Sequence, residues 1–279
     1  MSVIAISGIS GFVGSYLNSY FYVKGYDVIE ITREDLAEPV LLKQKVEKAD
    51  VIINLSGKNI IQRWSKKKKK QIYKSRIEST KALVSAINAN DKKQLFISTS
   101  AIGIYENDIA CDEEDFIYGQ TFLTQLCQDW EREASRVEKR LAIFRLGVVL
   151  GEGGALKKML TPFKLGLGGK IGDGKQPFSY IHIEDLARAY EHVITHDSME
   201  GVFNLTTPNP TTNSDFTDTL AKRVDKPAFI SLPTFVLKLI YGGGEQVLSH
   251  GQKVYPKRLL ENGFEFKYEK LKNILNDLI

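Results

Sequence analysis

Three glycines near the start of the chain stand at a spacing that lets a backbone cradle a phosphate. The stretch is Gly8-Ile9-Ser10-Gly11-Phe12-Val13-Gly14, a G-x-x-G-x-x-G pattern. The apolar run Val3-Ile4-Ala5-Ile6 precedes it and a helical pattern over Ser15–Val23 follows, so the loop joins a strand to a helix. In that setting one glycine makes the tight turn, one leaves bare backbone where pyrophosphate approaches, and one lets helix and strand pack closely. The start of the helix offers unpaired N–H groups and a partial positive charge. Gly8, Ser10, Gly11, Phe12, Val13 and Gly14 are therefore the expected phosphate loop of a dinucleotide. A strand-to-helix turn that merely needs glycines has the same spelling.

The end of the second strand chooses between the two nicotinamide dinucleotides. An acidic residue there suits the ribose hydroxyls of NAD, and an arginine suits the extra phosphate of NADP. The chain reads Glu30-Ile31-Thr32-Arg33, so Arg33 offers a planar fork to a phosphate and points to NADP(H), with NAD(H) as the other candidate. Glu34 and Asp35 follow at once and make the local field mixed, and a plain surface arginine is the competing reading. Only one helix fits comfortably between Arg33 and Asp50, with no separate strand, so Leu36 is placed on the adenine side. After Val51-Ile52-Ile53, the turn Leu55-Ser56-Gly57 keeps side chains small where adenine and its ribose approach.

The elements that must position these residues alternate strictly through the first half. Strands are expected at Val3–Ser7, Asp27–Ile31, Val51–Asn54, Leu95–Ser98 and Leu141–Arg145. Helices are expected at Ser15–Val23, Pro39–Lys48, Lys66–Asn88 and Phe122–Glu138. Near-continuous apolar strands alternating with helices predict an α/β fold, a Rossmann-type doubly wound parallel sheet. Beyond residue 150 the pattern loosens into glycine-rich and proline-broken stretches. Residues 1–150 are read as the NADP(H)-binding domain. Residues 151–279 are read as a smaller substrate lobe, some of whose segments return to the sheet. That half carries a strand at Ser179–Ile183, a helix at Ile183–Thr195 and a strand at Val202–Leu205. Helices at Ser214–Val224, Phe235–Tyr241 and Tyr268–Ile279 follow.

These segments together resemble the extended short-chain dehydrogenase/reductases, the group that contains sugar-nucleotide epimerases and dehydratases. Further stretches are similar to an atypical subfamily, the NAD(P)-dependent epimerase family proteins of largely unassigned activity. Among them are Arg63-Trp64, Ser75-Arg76, Trp130-Glu131, Gly166-Leu167-Gly168-Gly169, Tyr180-Ile181-His182-Ile183 and Gly263-Phe264. The resemblance spans essentially the whole chain. It implies cofactor contacts by the glycine loop, Arg33, Leu55-Ser56-Gly57 and Arg76; a helix-surface arginine is the alternative for Arg76. Ser98 joins this cofactor set, and Asn59 and Gln176 are the expected substrate contacts.

The chemistry of such proteins uses a Ser or Thr, a Tyr and a Lys, the last two spaced Y-x-x-x-K on one helix face. A free tyrosine has a pKa of about 10, so a nearby lysine and the cofactor's charge make it a competent base. Ser100, in Ser98-Thr99-Ser100-Ala101, aligns with the hydroxyl that orients substrate. Anchoring on Cys127 and Trp130-Glu131, however, puts Thr121 where the tyrosine belongs and Gln125 where the lysine belongs. The usual proton relay is absent. Tyr105 is the candidate for supplying a phenol from another direction, with Tyr118 and Tyr180 behind it. The function expected is thus an NADP(H)-binding oxidoreductase or epimerase on a small polar or nucleotide-linked substrate. The alternative is a catalytically silent sensor or scaffold.

Bulk composition excludes several other classes. The chain of 279 residues has 38 basic and 34 acidic residues, a net charge of +4, and its clearest charge run is Lys66–Lys70. A solvated helix face accounts for that run, and no nucleic-acid partner is expected. Two cysteines, Cys111 and Cys127, with no CxxC pair and four histidines, give no disulfide framework and no metal site. With no basic leader and no stretch long enough to span a bilayer, no membrane partner is expected. The expectation is a cytoplasmic monomer or homodimer with an unidentified small-molecule substrate.

Overall fold

The computed structural model describes residues 2–279. Six strands form the central sheet: β1 (Val3–Ser7), β2 (Asp27–Ile31), β3 (Val51–Asn54), β4 (Leu95–Ala101), β5 (Arg140–Leu146) and β6 (Gly201–Leu205). They lie in the order β2-β1-β3-β4-β5-β6, and every neighbouring pair is parallel. The winding reverses between β1 and β3, which is where ligands settle in open parallel sheets.

Both faces of the sheet are covered, which is why its strands carry so few polar positions. On β1, Ile4 and Ile6 face helices α1 (Phe12–Val23) and α7 (Ile183–Thr195), meeting Leu17, Phe21, Leu186 and Tyr190. Ala5 points the other way with Ile52 and Phe96, toward Leu42, Val46, Leu83 and Ile87. Those last four come from α3 (Pro39–Lys48) and α4 (Lys66–Asn88). The fourth long helix of this half, α5 (Phe122–Ala134), packs beside α4.

Several boundaries shift from expectation, and four of the shifts are the most informative. Helix α1 starts at Phe12 rather than Ser15, because Gly11 serves as its N-cap. The segment after β2 holds two helices, α2 (Arg33–Ala37) and α3, rather than one. Thr32 caps α2 in a reciprocal box with Asp35, and Pro39 occupies the start of α3, where its missing N–H costs nothing. No strand forms there, so β2 is a sheet edge. Strand β4 runs on to Ala101, its last residues paired with β5. Helix α5 stops at Ala134, well before Glu138, and the chain then turns into β5 at Arg140.

The second half divides between sheet and lobe. Helix α7 and strand β6 lie beyond residue 150 yet complete the sheet and its cover. The lobe proper is built on α6 (Gly154–Lys164), α8 (Asn213–Arg223) and the terminal helix Leu271–Leu278. Its core joins Leu156, Phe163, Tyr180, Phe216, Leu220 and Ile274. Short ladders staple lobe to sheet domain, including Lys253–Val254 against Ala110–Cys111.

Candidate functional site

A crevice of about 840 Å³ opens at the C-terminal ends of β1, β2 and β3. Gly8, Ser10 and Gly11 form one wall, Thr32, Arg33 and Leu36 a second, and Leu55, Ser56 and Gly57 a third. The three glycines of the loop do different jobs. Gly8 has φ +78°, and a Cβ there would stand 2.8 Å from the Leu55 carbonyl oxygen. A Cβ at Gly14 would stand 2.3 Å from the Gly8 carbonyl oxygen, so only glycine lets α1 approach. Gly11 is exposed to the crevice and leaves its backbone bare. Helix α1 has no side-chain cap and no acidic residue in its first turn, so its free N–H groups and dipole face whatever occupies the crevice.

Phe12, Val13 and Gly14 lie in the first turn of α1, with Val13 packed on the sheet core, Phe12 against a glycine-lined slot and Gly14 buried. The Phe12 ring fills a slot floored by Gly151, Gly153 and Gly154, where any Cβ would come within 2.6–2.8 Å of the ring. These three residues shape the phosphate loop from behind. The Gly151-x-Gly153-Gly154 spacing is the sequence signal for that slot.

Arg33 is exposed at the start of α2, and the mixed field around it is largely resolved by geometry. Asp35 is buried, accepts from the Thr32 backbone N–H at 2.6 Å and pairs with Lys45 Nζ at 2.5 Å. Burial alone would push the Asp35 carboxyl up. The Lys45 hydrogen bond and the cap outweigh it, and the group titrates below the usual aspartate range. One of the two neighbouring carboxylates is thereby neutralised. Arg33 remains a cation on the crevice wall.

The third wall is held by a buried hydrogen-bond chain. Ser7 Oγ donates to Asn54 Oδ1, which also accepts from the Ser56 backbone N–H, and Asn54 Nδ2 donates to Thr80 Oγ1. Trp130 Nε1 closes the chain on Thr80 at 2.8 Å. Ser75 Oγ accepts from Lys58 N–H and fixes the turn's exit. Arg76 departs from its expected role as a direct cofactor contact. It donates to the carbonyls of Lys58 and Ile72, lies over the Trp130 ring, and sits behind Gly57 rather than on the crevice wall. Wall residues not singled out from the sequence as contacts include Ala37 on α2, Lys58 in the turn, and Lys74, Ser75, Glu78 and Ser79 on α4. The four on α4 share one face at helical spacing, which is the signal that could have found them.

Residues 4–206 match the NAD dependent epimerase/dehydratase family, and residues 232–278 match a domain of unknown function, DUF1731. The chain belongs to the epimerase/dehydratase family. It is 33% identical to the Epimerase family protein SDR39U1 homolog, chloroplastic, of Arabidopsis thaliana, over 99% of this chain and 86% of that one. It is 32% identical to Epimerase family protein YfhF of Bacillus subtilis, over 99% of this chain and 97% of that one. Among solved structures, human epimerase family protein SDR39U1 (isoform 2), crystallised with NADPH, matches with a TM-score of 0.91 and 31% identity. That match covers 99% of this chain and 98% of the human one. The UDP-glucose 4-epimerase of Thermus thermophilus, solved with NAD, shares the fold at a TM-score of 0.79 and 16% identity.

The positions where this epimerase/dehydratase family member would keep its proton relay hold other machinery. Thr121 is the N-cap of α5: its hydroxyl accepts from the Thr124 N–H at 3.1 Å. Gln125 is exposed on the next turn. Ser100 is buried and donates to Glu131 Oε1 at 2.6 Å, and Arg145 clasps the same carboxylate with two N–H bonds of 2.8 and 2.7 Å. Tyr105 is corrected outright as a proton donor to substrate. It is 1% exposed, donates to Asn204 Oδ1 at 2.7 Å and accepts from Arg145 at 2.8 Å. Burial pushes its phenol well above the ordinary tyrosine value, with Arg145 only partly opposing. Ser98 is buried with its Oγ unpartnered. Both substrate candidates lie outside the crevice wall, and each makes one local hydrogen bond. Asn59 Oδ1 accepts from Ile61 N–H, and Gln176 Nε2 donates to the Ile171 carbonyl. Among the described residues no cluster suited to a metal ion is present, and no helix is long and apolar enough to cross a membrane.

Proposed function

We propose that this protein binds NADP(H), in preference to NAD(H), in the crevice between β1 and β3. The observation that carries the reading is the exposed Arg33 beside the glycine cradle, with Asp35 already claimed by Lys45. Gly8, Ser10, Gly11 and the α1 N-terminus hold the pyrophosphate. Leu36, Leu55 and Ser56 frame the adenosine, and Arg33 takes the 2′-phosphate. NADPH in the human relative's structure supports the same assignment. When bound, the nicotinamide supplies or accepts a hydride.

The reaction we propose is a reduction or epimerisation of a small polar or nucleotide-linked substrate, performed without the Tyr/Lys pair. Ser100, buried behind the crevice, holds the Glu131 carboxylate together with Arg145. The proton then comes from the substrate or solvent rather than from a side-chain phenol. One observation favours the second reading, a silent NADP(H) sensor or scaffold: Ser100, Tyr105 and Thr121 are all committed to internal hydrogen bonds. Nicotinamide absorbance distinguishes them when the NADPH-loaded protein meets a panel of aldehydes, ketones and nucleotide sugars. Turnover on any member supports the enzyme. Retained cofactor with a silent panel, and with no isomer formed, supports the sensor.

A further inference from the structure

Away from the crevice, the lobe exposes a concentration of apolar and basic side chains that no step above uses. Two segments build it: residues 154–176, which hold α6 and the glycine-rich loop, and residues 225–241, which end in α9 (Thr234–Tyr241). They are one surface. The backbone N–H of Leu232 donates to Lys170 O, Gly172 N–H donates back to Leu232 O, and Gly169 lies directly against Ile230.

Large apolar groups stand out from this surface. Phe229 is 92% exposed, Leu239 72%, Phe235 71%, Leu165 68% and Leu167 59%. Only Leu237 anchors α9 inward. Apolar side chains this exposed, on two segments joined backbone to backbone, mark an interaction site rather than ordinary surface.

The charge on the same two segments is equally uneven. They carry seven lysines against two aspartates, Asp173 and Asp225, a net +5 on a chain whose total is +4. The remainder of the molecule is thus close to neutral. Of the seven, only Lys175 has an ion-pair partner among the described residues. Lys164, Lys170, Lys226 and Lys238 flank the exposed leucines and phenylalanines in sequence.

We propose that this face docks on an anionic lipid surface. Its phenylalanines and leucines enter the headgroup boundary while its lysines meet the lipid phosphates. Charge complementarity selects this occupant. A second copy laid on the same face would bring net +5 against net +5, and aliphatic leucines gain nothing from nucleic-acid bases, which reward aromatic stacking. The lack of a spanning helix does not bear on it, because the association is peripheral.

The test is flotation of the full-length protein with vesicles of phosphatidylcholine alone and of phosphatidylcholine mixed with phosphatidylglycerol. Two variants run in parallel, Phe229→Ser/Phe235→Ser and Lys164→Glu/Lys238→Glu, each checked for an unchanged thermal midpoint. The expected result is binding to the mixed vesicles, weaker by about tenfold or more on phosphatidylcholine alone, in high salt, and in either variant. No binding to the mixed vesicles at low salt overturns the proposal. So does equal binding by both variants. A face whose phenylalanines instead hold two copies together in sedimentation, or that binds a single-stranded oligonucleotide better than the vesicles, also overturns it. None of these readouts depends on NADP(H), so the proposal stands or falls apart from the crevice.

Discussion

A methyl group added at Gly14 would sit 2.3 Å from the Gly8 carbonyl oxygen, backbone against backbone, with no flexible atom to yield. Gly14→Ala therefore forces α1 away from β1. We expect a loss of about 1–3 kcal/mol in chemical denaturation together with weakened dinucleotide binding. Thr121→Ala removes only a helix cap, so it should cost about 1 kcal/mol of stability and leave both cofactor affinity and any turnover intact. A drop in turnover at unchanged stability would restore a catalytic role to that position. Tyr105→Phe strands Asn204 and Arg145 and should cost about 1–3 kcal/mol, again without touching NADPH affinity. At this scale the sequence was legible where backbone conformation dictates the residue type, as at Gly8 and Gly14. It was least legible where a side chain's direction depends on distant partners. Arg76 turns inward because Trp130, on another helix, offers its ring, and Tyr105 is locked by Arg145 and Asn204 from two other strands.

Elements with a strong pattern and a clear terminator match their expected spans residue for residue: β1, β2, β3, α3, α4 and α7. Where capping alone sets the boundary, as at α1 and α2, the pattern was ambiguous, because Gly11 and Thr32 read equally well as loop residues. Helix α7 is capped by His182, whose Nδ1 accepts from Glu184 N–H at 3.1 Å, so Nε2 carries the proton and faces Asp277 of the terminal helix at 3.2 Å. Burial depresses the His182 pKa below the ordinary value of about 6.5, and Asp277 only partly offsets it. The unfolded chain then takes up a proton that the folded chain resists. Stability is accordingly full above about pH 7 and falls as the pH drops through 6.5. His182→Asn keeps an acceptor for the cap and removes the titration, so its denaturation midpoint should depend less on pH between about 5 and 7. Superimposable acid limbs for the two proteins would refute the assignment.

At the scale of the whole molecule, strict alternation of strand and helix was enough to foresee a doubly wound sheet, and the missing strand after Arg33 was foreseen from length alone. The 150-residue boundary came with the expectation that some later segments return to the sheet, without saying which. Strand β6 belongs to the sheet although its surroundings are proline- and glycine-rich, because pairing with β5 is a long-range contact with no local signature. The crevice gathers residues from three separate strand ends, so its outline was readable from the loops but its α4 wall was not. Ligand that fills it binds only the folded chain. NADPH at a hundred times its dissociation constant should add about 2.7 kcal/mol of stability and raise the thermal midpoint, whereas NADH at the same concentration should do less.

Arg33 is the residue proposed to take the NADP 2′-phosphate. Fluorescence titration of the protein and of Arg33→Ala with NADPH and with NADH tests that role directly. We predict tighter binding of NADPH than of NADH, a loss of about 10- to 100-fold in NADPH affinity for the variant, and NADH affinity within about twofold of the parent. Equal affinity for the two nucleotides, or an NADPH affinity that survives the substitution, would contradict the account.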